Sequence, residues 1–464
     1  MAETDIVLFG ASGDLAGRKV LPALGGLVRK GALSPQTRIL GAGRSEVSDD
    51  QFRSRVAEST GSDELARAAA WAKLDYGDST TFAGLGETLG ASRSSIFYLA
   101  TPPQAFEAIV RSLGEVGLGR HGDHSRRIVL EKPLGHDLLS ARAINVELDQ
   151  VFAEEEVFRI DHYLAKDTVQ NTLALRFSNS IFEPIWNRTL IQSIQITVAE
   201  DMGVGGRAGY YDQAGAVRDM VQNHVLQVLA LVTMEPPITF EAADIRNAKL
   251  EALRAVQPID PQQAVRGQYL GYLDENGVSR NSRRETYVAA RLSAESWRWE
   301  GIPILIRTGK ALHRRGTEVI VRFREAPHLR LNGRRQAGLP TLLVIRVQPD
   351  EGITIRIGAK RPGGGFEIVP AGLRLEYAGL AREPLPDAYE NVLSEVLAGE
   401  HGVFPSAAEI ERCWEIVEPL LRAWEADGHP EPYAPGTWGP PAAEELVAAG
   451  GGGRWINAGD EPGT

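Results

Sequence analysis

Asp5-Ile6-Val7-Leu8-Phe9-Gly10-Ala11-Ser12-Gly13-Asp14-Leu15-Ala16 begins as a short apolar run and stops at a glycine. A helical stretch follows, from about Leu15 to Lys30, and closes at Gly31. Strand, glycine-rich turn and helix in this order make the GxxGxxA form of the dinucleotide fingerprint. The first glycine allows the tight turn. The second lets backbone N–H groups approach a pyrophosphate at a helix N-terminus, and the small third residue lets the helix pack closely on the sheet. In isolation the same pattern also describes an ordinary strand–helix turn. Its surroundings favour the nucleotide reading. Arg38–Gly41, Ser95–Ala100 and Arg127–Leu130 are further buried-strand candidates, with helical segments near 104–116 and 137–152. Apolar runs alternating with helices predict a Rossmann-type, doubly wound parallel sheet, α/β in class.

Beyond about residue 190 the pattern changes. Ile191–Val198 alternates partly with period two, and Glu318–Phe323 is another strand candidate. Leu342–Gln348 and Ile353–Ile357 flank the turn sequence Pro349-Asp350-Glu351-Gly352 and read as an antiparallel hairpin, with Ile353, Ile355 and Ile357 on one face. Long helical patterns at 211–234 and 406–425 supply cover. This half is expected to be α+β, a large, mainly antiparallel sheet covered by helices. The glycine-rich end, Gly450 to Thr464, is expected to be loose.

A chain of 464 residues is too long for one core and suggests two or three folding units. Its formal net charge of -11 argues against nucleic acid as the main partner, yet leaves room for a small anionic substrate held by a few converging cations. The single cysteine, Cys413, excludes an intrachain disulfide and a cysteine-rich zinc site. The acidic N-terminus does not read as a secretory signal, and no apolar run approaches a membrane span, so a cytoplasmic enzyme is expected.

Four stretches carry the chemistry. After the second strand the chain reads Gly41-Ala42-Gly43-Arg44-Ser45, with no acid before Glu46 to accept a ribose 2'-hydroxyl. Arg44 can instead pair a 2'-phosphate, which predicts NADP. Glu131-Lys132-Pro133-Leu134-Gly135 ends the last parallel strand, where ligands of open sheets collect, and Pro133 suits a tight, cis turn. In Arg159-Ile160-Asp161-His162-Tyr163-Leu164-Ala165-Lys166, adjacent residues on an extended segment point opposite ways. A helix starting just after His162 would gather His162, Tyr163 and Lys166 for an anion. His224 shares a helical stripe with Val217, Val221, Val228 and Leu231. It reads equally well as a structural histidine and as a general base in a dry site. Lys310 follows an apolar strand, with Arg314 and Arg315 beyond it, and Gln348 ends a later one.

With these residues in view, the chain resembles the glucose-6-phosphate dehydrogenases nearly end to end. The resemblance rests on GASGDLA at 10–16, EKPLG at 131–135, RIDHYLAK at 159–166 and AGYYDQAGAVRDMVQNH at 208–224. WEGIPILIRTGKAL at 299–312, RVQP at 346–349 and LPDAYE at 385–390 extend it. It implies an NADP-binding Rossmann-like domain over 1–161 and a substrate-binding and dimerisation β+α domain over 162–464. It implies oxidation of glucose 6-phosphate at C1 to the 1,5-lactone, opening the oxidative pentose phosphate pathway, with no metal. His224 would be the general base and Asp161 would orient it. His162, Tyr163 and Lys166 would bind the sugar phosphate, and Glu200, Asp219 and Lys310 the sugar hydroxyls, with Arg315 and Gln348 at the pocket. Lys132 would serve substrate and nicotinamide alike. Gly10, Ala11, Ser12, Gly13, Asp14, Leu15 and Arg44 would hold NADP, as would Gly17, with Asp75 and Tyr76 bordering the adenine. Gly17 stands where a basic residue is usual. The resemblance further implies a homodimer or a dimer of dimers through the second sheet, a face that local helices do not fully cover. Sugar oxidoreductases of the Gfo/Idh type share the EKP motif but lack the RIDHYLAK and QNH segments.

Overall fold

Thr4–Phe9 forms strand β1, buried along its whole length. It lies between β2 (Arg38–Gly43) and β4 (Ser94–Leu99), both parallel to it. With β3 (Ala70–Lys73), β5 (Arg126–Leu130) and β6 (Val157–Arg159) the order is β3-β2-β1-β4-β5-β6, every pairing parallel. Helix α1 (Leu21–Arg29) follows β1 and α2 (Asp49–Thr60) follows β2, and the two pack together. Ser48 caps α2 and Gln51 returns the bond to the Ser48 N–H, while Gly61 in the left-handed region ends it. The expected Rossmann-type sheet is present, with its order reversing between β1 and β4.

The computed structural model describes residues 3–89, 93–120, 126–328, 330–331, 334–335, 339–363, 365–380, 387–426, 428–449, 453–457 and 459. Leu385 and Pro386 of the LPDAYE motif, and most of the glycine-rich end, lie outside them. The chain divides into two compact units. The first gathers Met1–Ala165, Pro237–Asn247 and Pro386–Glu411; the second gathers Lys166–Pro236, Ala248–Leu385 and Arg412–Thr464.

The second unit is built on β7 (Ile191–Ala199), β8 (Ala264–Tyr269), β9 (Tyr287–Leu292), β10 (Ile304–Gly309) and β11 (Gly316–Phe323). The two-residue strands β12 (Arg330–Leu331) and β13 (Arg334–Arg335) pair with each other. The sheet continues through β14 (Leu342–Gln348), β15 (Gly352–Lys360), β16 (Ile368–Glu376) and β17 (Glu431–Tyr433). Nine strands run in the order β16-β15-β14-β11-β7-β10-β9-β8-β17. All pairings are antiparallel except β10 with β7 and β17 with β8. The expected hairpin is the β14–β15 pair.

Two expectations need correction here. Ile191–Val198 was expected to alternate, yet β7 is buried almost throughout, because it is a central strand covered on both faces. Residues 450–464 were expected to be loose, yet within the described stretch 453–457 Trp455 and Asn457 are buried. Trp455 Nε1 donates to Ala443 O (2.9 Å), and Ile456 N donates to the Gln195 side chain on β7 (2.9 Å). A large ring with a satisfied N–H outweighs the local entropy of neighbouring glycines.

Candidate functional site

The nucleotide end of the first unit is built around Gly10. Its φ is +74°, and a Cβ there would stand 2.6 Å from the carbonyl oxygen of Ala100, so only glycine fits. Gly10 N donates to Ala42 O (2.8 Å) and to the Tyr76 hydroxyl (3.2 Å), tying the ends of β1 and β2 together. Gly13 N donates to Gly10 O (2.8 Å) and closes the turn. A widened helical turn, Ala16–Val20, leads into α1. Ala11 is buried, Ser12, Gly13 and Asp14 are exposed, and Leu15 is half-buried. The turn therefore offers a bare, exposed backbone beside the strand-order reversal, the shape a dinucleotide pyrophosphate requires.

Arg44 is exposed just after β2, and its charge acts on the Tyr76 phenol, whose pKa burial raises. Asp75 and Tyr76 follow β3; Asp75 Oδ1 accepts from Gly77 N (3.1 Å), and the Tyr76 hydroxyl meets the glycine turn. Glu46, the nearest acid after Arg44, is paired with Lys73. These residues fit a pyridine nucleotide: a glycine cradle and an exposed cation after β2, with the next acid, Glu46, paired to Lys73.

At the ends of β5 and β6 the unit brings a second group together. Glu131 is buried and accepts from the Tyr98 hydroxyl (2.6 Å). Burial raises its pKa, against hydrogen bonds from Tyr98 and Tyr389 and the charge of Lys132. Lys132–Pro133 is cis, as the motif suggested, and Lys132 is half-buried. On the adjacent strand end Asp161 is buried, and its Oδ1 accepts from Tyr163 N (2.9 Å). The His162 ring lies against Tyr163 (centroids 5.2 Å apart) and stacks on Tyr389 (6.4 Å).

The helix expected just after His162 begins later, at Asp167, with Lys166 as its N-cap residue. The Asp161 carboxylate captures the Tyr163 N–H and Leu164 N donates to Asp161 O (3.1 Å), so residues 162–165 form a turn. A short acidic side chain competes with the helix for local N–H groups. The helix N-terminus thus falls at Lys166 rather than just after His162.

In the second unit, Gly215 (φ +72°) breaks the long helical pattern expected over 211–234. A Cβ there would stand 2.3 Å from Glu285 Oε1, and that carboxylate accepts from Val217 N (3.2 Å). Glu285 thereby sets where the next segment begins. This segment, Val217–Val225, is a widened helix that packs on β7 and β10 and runs into Leu226–Thr233. Widened turns are rare and concentrate at functional sites. It carries Asp219 and His224, both buried.

The ends of β7 and β10 are parallel neighbours and carry Glu200 and Lys310, which form an ion pair. The Lys310 ammonium also lies 5.2 Å from the Tyr211 ring centroid, and its carbonyl accepts from the Tyr433 hydroxyl (2.7 Å). Asp219 accepts from the Tyr210 hydroxyl (3.4 Å). Burial raises the Tyr211 pKa well above its ordinary value, and the charges of Asp219, Glu285 and Glu200 add to the shift. Lys166 donates to the Gln348 side chain at the end of β14. Arg315 is exposed and, among the described residues, joins none of these groups, while Arg314 turns to Glu318 (3.1 Å). Tyr211 and Tyr389 were within quoted motifs yet assigned no role; a tyrosine beside a charged motif residue was the available signal.

Residues 7–171 match the family model for the glucose-6-phosphate dehydrogenase NAD binding domain, and residues 173–456 match that for the C-terminal domain. The chain is 43% identical over 474 residues to glucose-6-phosphate 1-dehydrogenase 2 of Mycobacterium tuberculosis, covering 95% of this chain and 92% of that one. It resembles a glucose-6-phosphate dehydrogenase solved in complex with glucose-6-phosphate (TM-score 0.89, 34% identity, 97% of this chain and 98% of the other). It also resembles a glucose-6-phosphate 1-dehydrogenase from Mycobacterium avium (TM-score 0.87, 36% identity, 96% and 97%).

Proposed function

The chain belongs to the glucose-6-phosphate dehydrogenase family, and from that premise we propose that it oxidises D-glucose 6-phosphate at C1 to 6-phospho-D-glucono-1,5-lactone, reducing NADP. The carrying observation is the near full-length match to chains of that activity, one of them solved with this substrate. The reversal between β1 and β4, with the glycine cradle beside it, supports a pyridine nucleotide. Arg44, with Glu46 taken by Lys73, supports NADP over NAD.

When bound, the nicotinamide supplies the hydride acceptor. The chain's own part is to hold the sugar and move one proton. In the second unit, His224 takes the C1 hydroxyl proton, Glu200, Asp219 and Lys310 hold sugar hydroxyls, and Lys166 meets the substrate phosphate with Gln348 beside it. In the first unit, Asp161 has the orienting role, Lys132 serves substrate and cofactor, and His162 and Tyr163 serve the phosphate. Arg315 keeps only its place near the substrate implied by the family motif.

The reading includes a homodimer or dimer of dimers. Strand β16 lies at the sheet edge and exposes Leu373 (60%) and Leu375 (39%), an apolar strip of the kind that pairs with a copy of itself. It also includes a cytoplasmic location, in keeping with a single, buried cysteine, Cys413. Among the described residues no helix is long and apolar enough to cross a membrane. The test is absorbance at the reduced-nicotinamide band with NADP and glucose 6-phosphate, beside NAD and underivatised glucose. Reduction should need the phosphorylated sugar and favour NADP. No reduction with glucose 6-phosphate, or equal rates with glucose, would refute the reading.

A further inference from the structure

Among the described residues, Arg55 is a guanidinium without an acid partner. It stands half-buried on α2, and its Nη2 donates to the carbonyl of Gly13 (2.7 Å), the second glycine of the nucleotide turn. Its Nε is buried without a hydrogen-bond partner, and among the described residues it forms no ion pair. A guanidinium has five N–H donors, and a buried one left unmade costs free energy. One neutral carbonyl does not account for a cation in this position.

Its place is set by Gly17. A Cβ at position 17 would lie 2.7 Å from Arg55 Nη2, so the bare glycine is what admits the guanidinium to the turn. Asp14 in the turn is paired with Arg18 (2.6 Å), and Glu46, the first acid after β2, with Lys73. The charge of Arg55 is therefore left for something the protein does not itself provide. The exposed backbone of the turn lies beside it, and that turn is where the phosphates of a dinucleotide belong.

We propose that Arg55 is a phosphate-binding residue of the nucleotide site, its remaining N–H groups meeting a phosphate oxygen of the bound dinucleotide. This rests on the pyridine-nucleotide reading above and deepens it. The ligand offers that oxygen in its pyrophosphate and, in NADP, in its 2'-phosphate; both accept charge-assisted hydrogen bonds from arginine.

The test uses the full-length chain and isothermal titration with NADP and, separately, NAD. Arg55→Ala should weaken NADP binding about tenfold or more, the scale of a lost charge-assisted bond. Arg55→Gln can still donate to Gly13 O but has no charge, and should be nearly as weak. Arg55→Lys should recover part of the affinity, and the salt dependence of binding should flatten in the uncharged variants. Loss confined to NADP assigns the contact to the 2'-phosphate; equal loss with NAD assigns it to the pyrophosphate. Both outcomes support the proposal. If Arg55 only fastens α2 to the turn, Arg55→Ala will lower the melting temperature, Arg55→Gln will restore it, and the Kd will not move; that overturns the proposal. Should the native chain bind neither nucleotide, the parent reading falls, an outcome distinct from native binding that survives Arg55→Ala unchanged.

Discussion

His401 offers a change in stability whose size follows from its surroundings. Its ring is buried, stacks on Phe158 (centroids 4.0 Å apart, planes 25° apart) and stands edge-on to Phe404. Nε2 carries the proton, because its partner at 2.8 Å is the Glu155 carbonyl, which can only accept. Nδ1 is buried without a partner, so a second proton would sit where nothing receives it. Burial chiefly, then the charge of Arg246, lowers the pKa from 6.5 to about 4; Arg127 also lowers it, and the Glu155 bond and Glu154 oppose. The unfolded chain thus takes up a proton near pH 6.5 that the folded chain refuses until about pH 4. Stability from this group is complete above pH 6.5 and declines as pH falls toward 4. The loss between pH 7.5 and pH 5 is about 2 kcal/mol, approaching about 3 kcal/mol below pH 4. His401→Gln keeps a donor for Glu155 O and removes the titration. Urea unfolding of both proteins at the two pH values should show the variant less stable at pH 7.5, through lost stacking, but less sensitive to acid by about 2 kcal/mol. Buried Glu131 and Glu285, whose raised pKa values act in the opposite direction, are common to both proteins and cancel. Equal acid sensitivity in the two proteins would refute the reasoning.

His224→Asn should lower kcat by roughly 100- to 10,000-fold with little change in substrate binding; near-native turnover with an unchanged circular dichroism spectrum would make His224 a structural residue. Arg44→Ala should raise the KM for NADP about 10- to 150-fold and that for NAD much less, and equal effects would remove the argument for NADP. Lys166→Ala should raise the KM for glucose 6-phosphate while sparing any activity on glucose, and high salt should imitate it in the native chain; parallel losses on both sugars would exclude Lys166 from the phosphate. Leu373→Asp, on the exposed face of β16, should shift the light-scattering mass toward the monomer, and a native chain that is already monomeric would reject the dimer.

The parallel sheet was legible because its central strands β1 and β4 are buried along nearly their whole length and so read as unbroken apolar runs. The cis bond before Pro133, the hairpin after Gln348 and the burial of His224 were legible too, since proline, turn residues and helical spacing act over a few positions. The turn at 162–165 was not. Whether Asp161 caps a helix or bends the chain depends on which N–H its carboxylate reaches. The break at Gly215 was hidden for a similar reason: the residue that meets it, Glu285, is far along the chain.

By itself the sequence determined the local devices: the Gly10 turn, Arg44 after a strand with no available acid, and motifs that place lysines and carboxylates at strand ends. Tertiary structure decided which of these devices meet. Only folding pairs Lys310 with Glu200 and Lys166 with Gln348, stacks Tyr389 on His162, and brings Arg55 into the space that Gly17 leaves. It also decided that Pro237–Asn247 and Pro386–Glu411 join the first unit although they lie far along the chain. The reason is physical: hydrophobic periodicity and turn chemistry act over a few residues, whereas an ion pair or a ring stack joins side chains hundreds of residues apart.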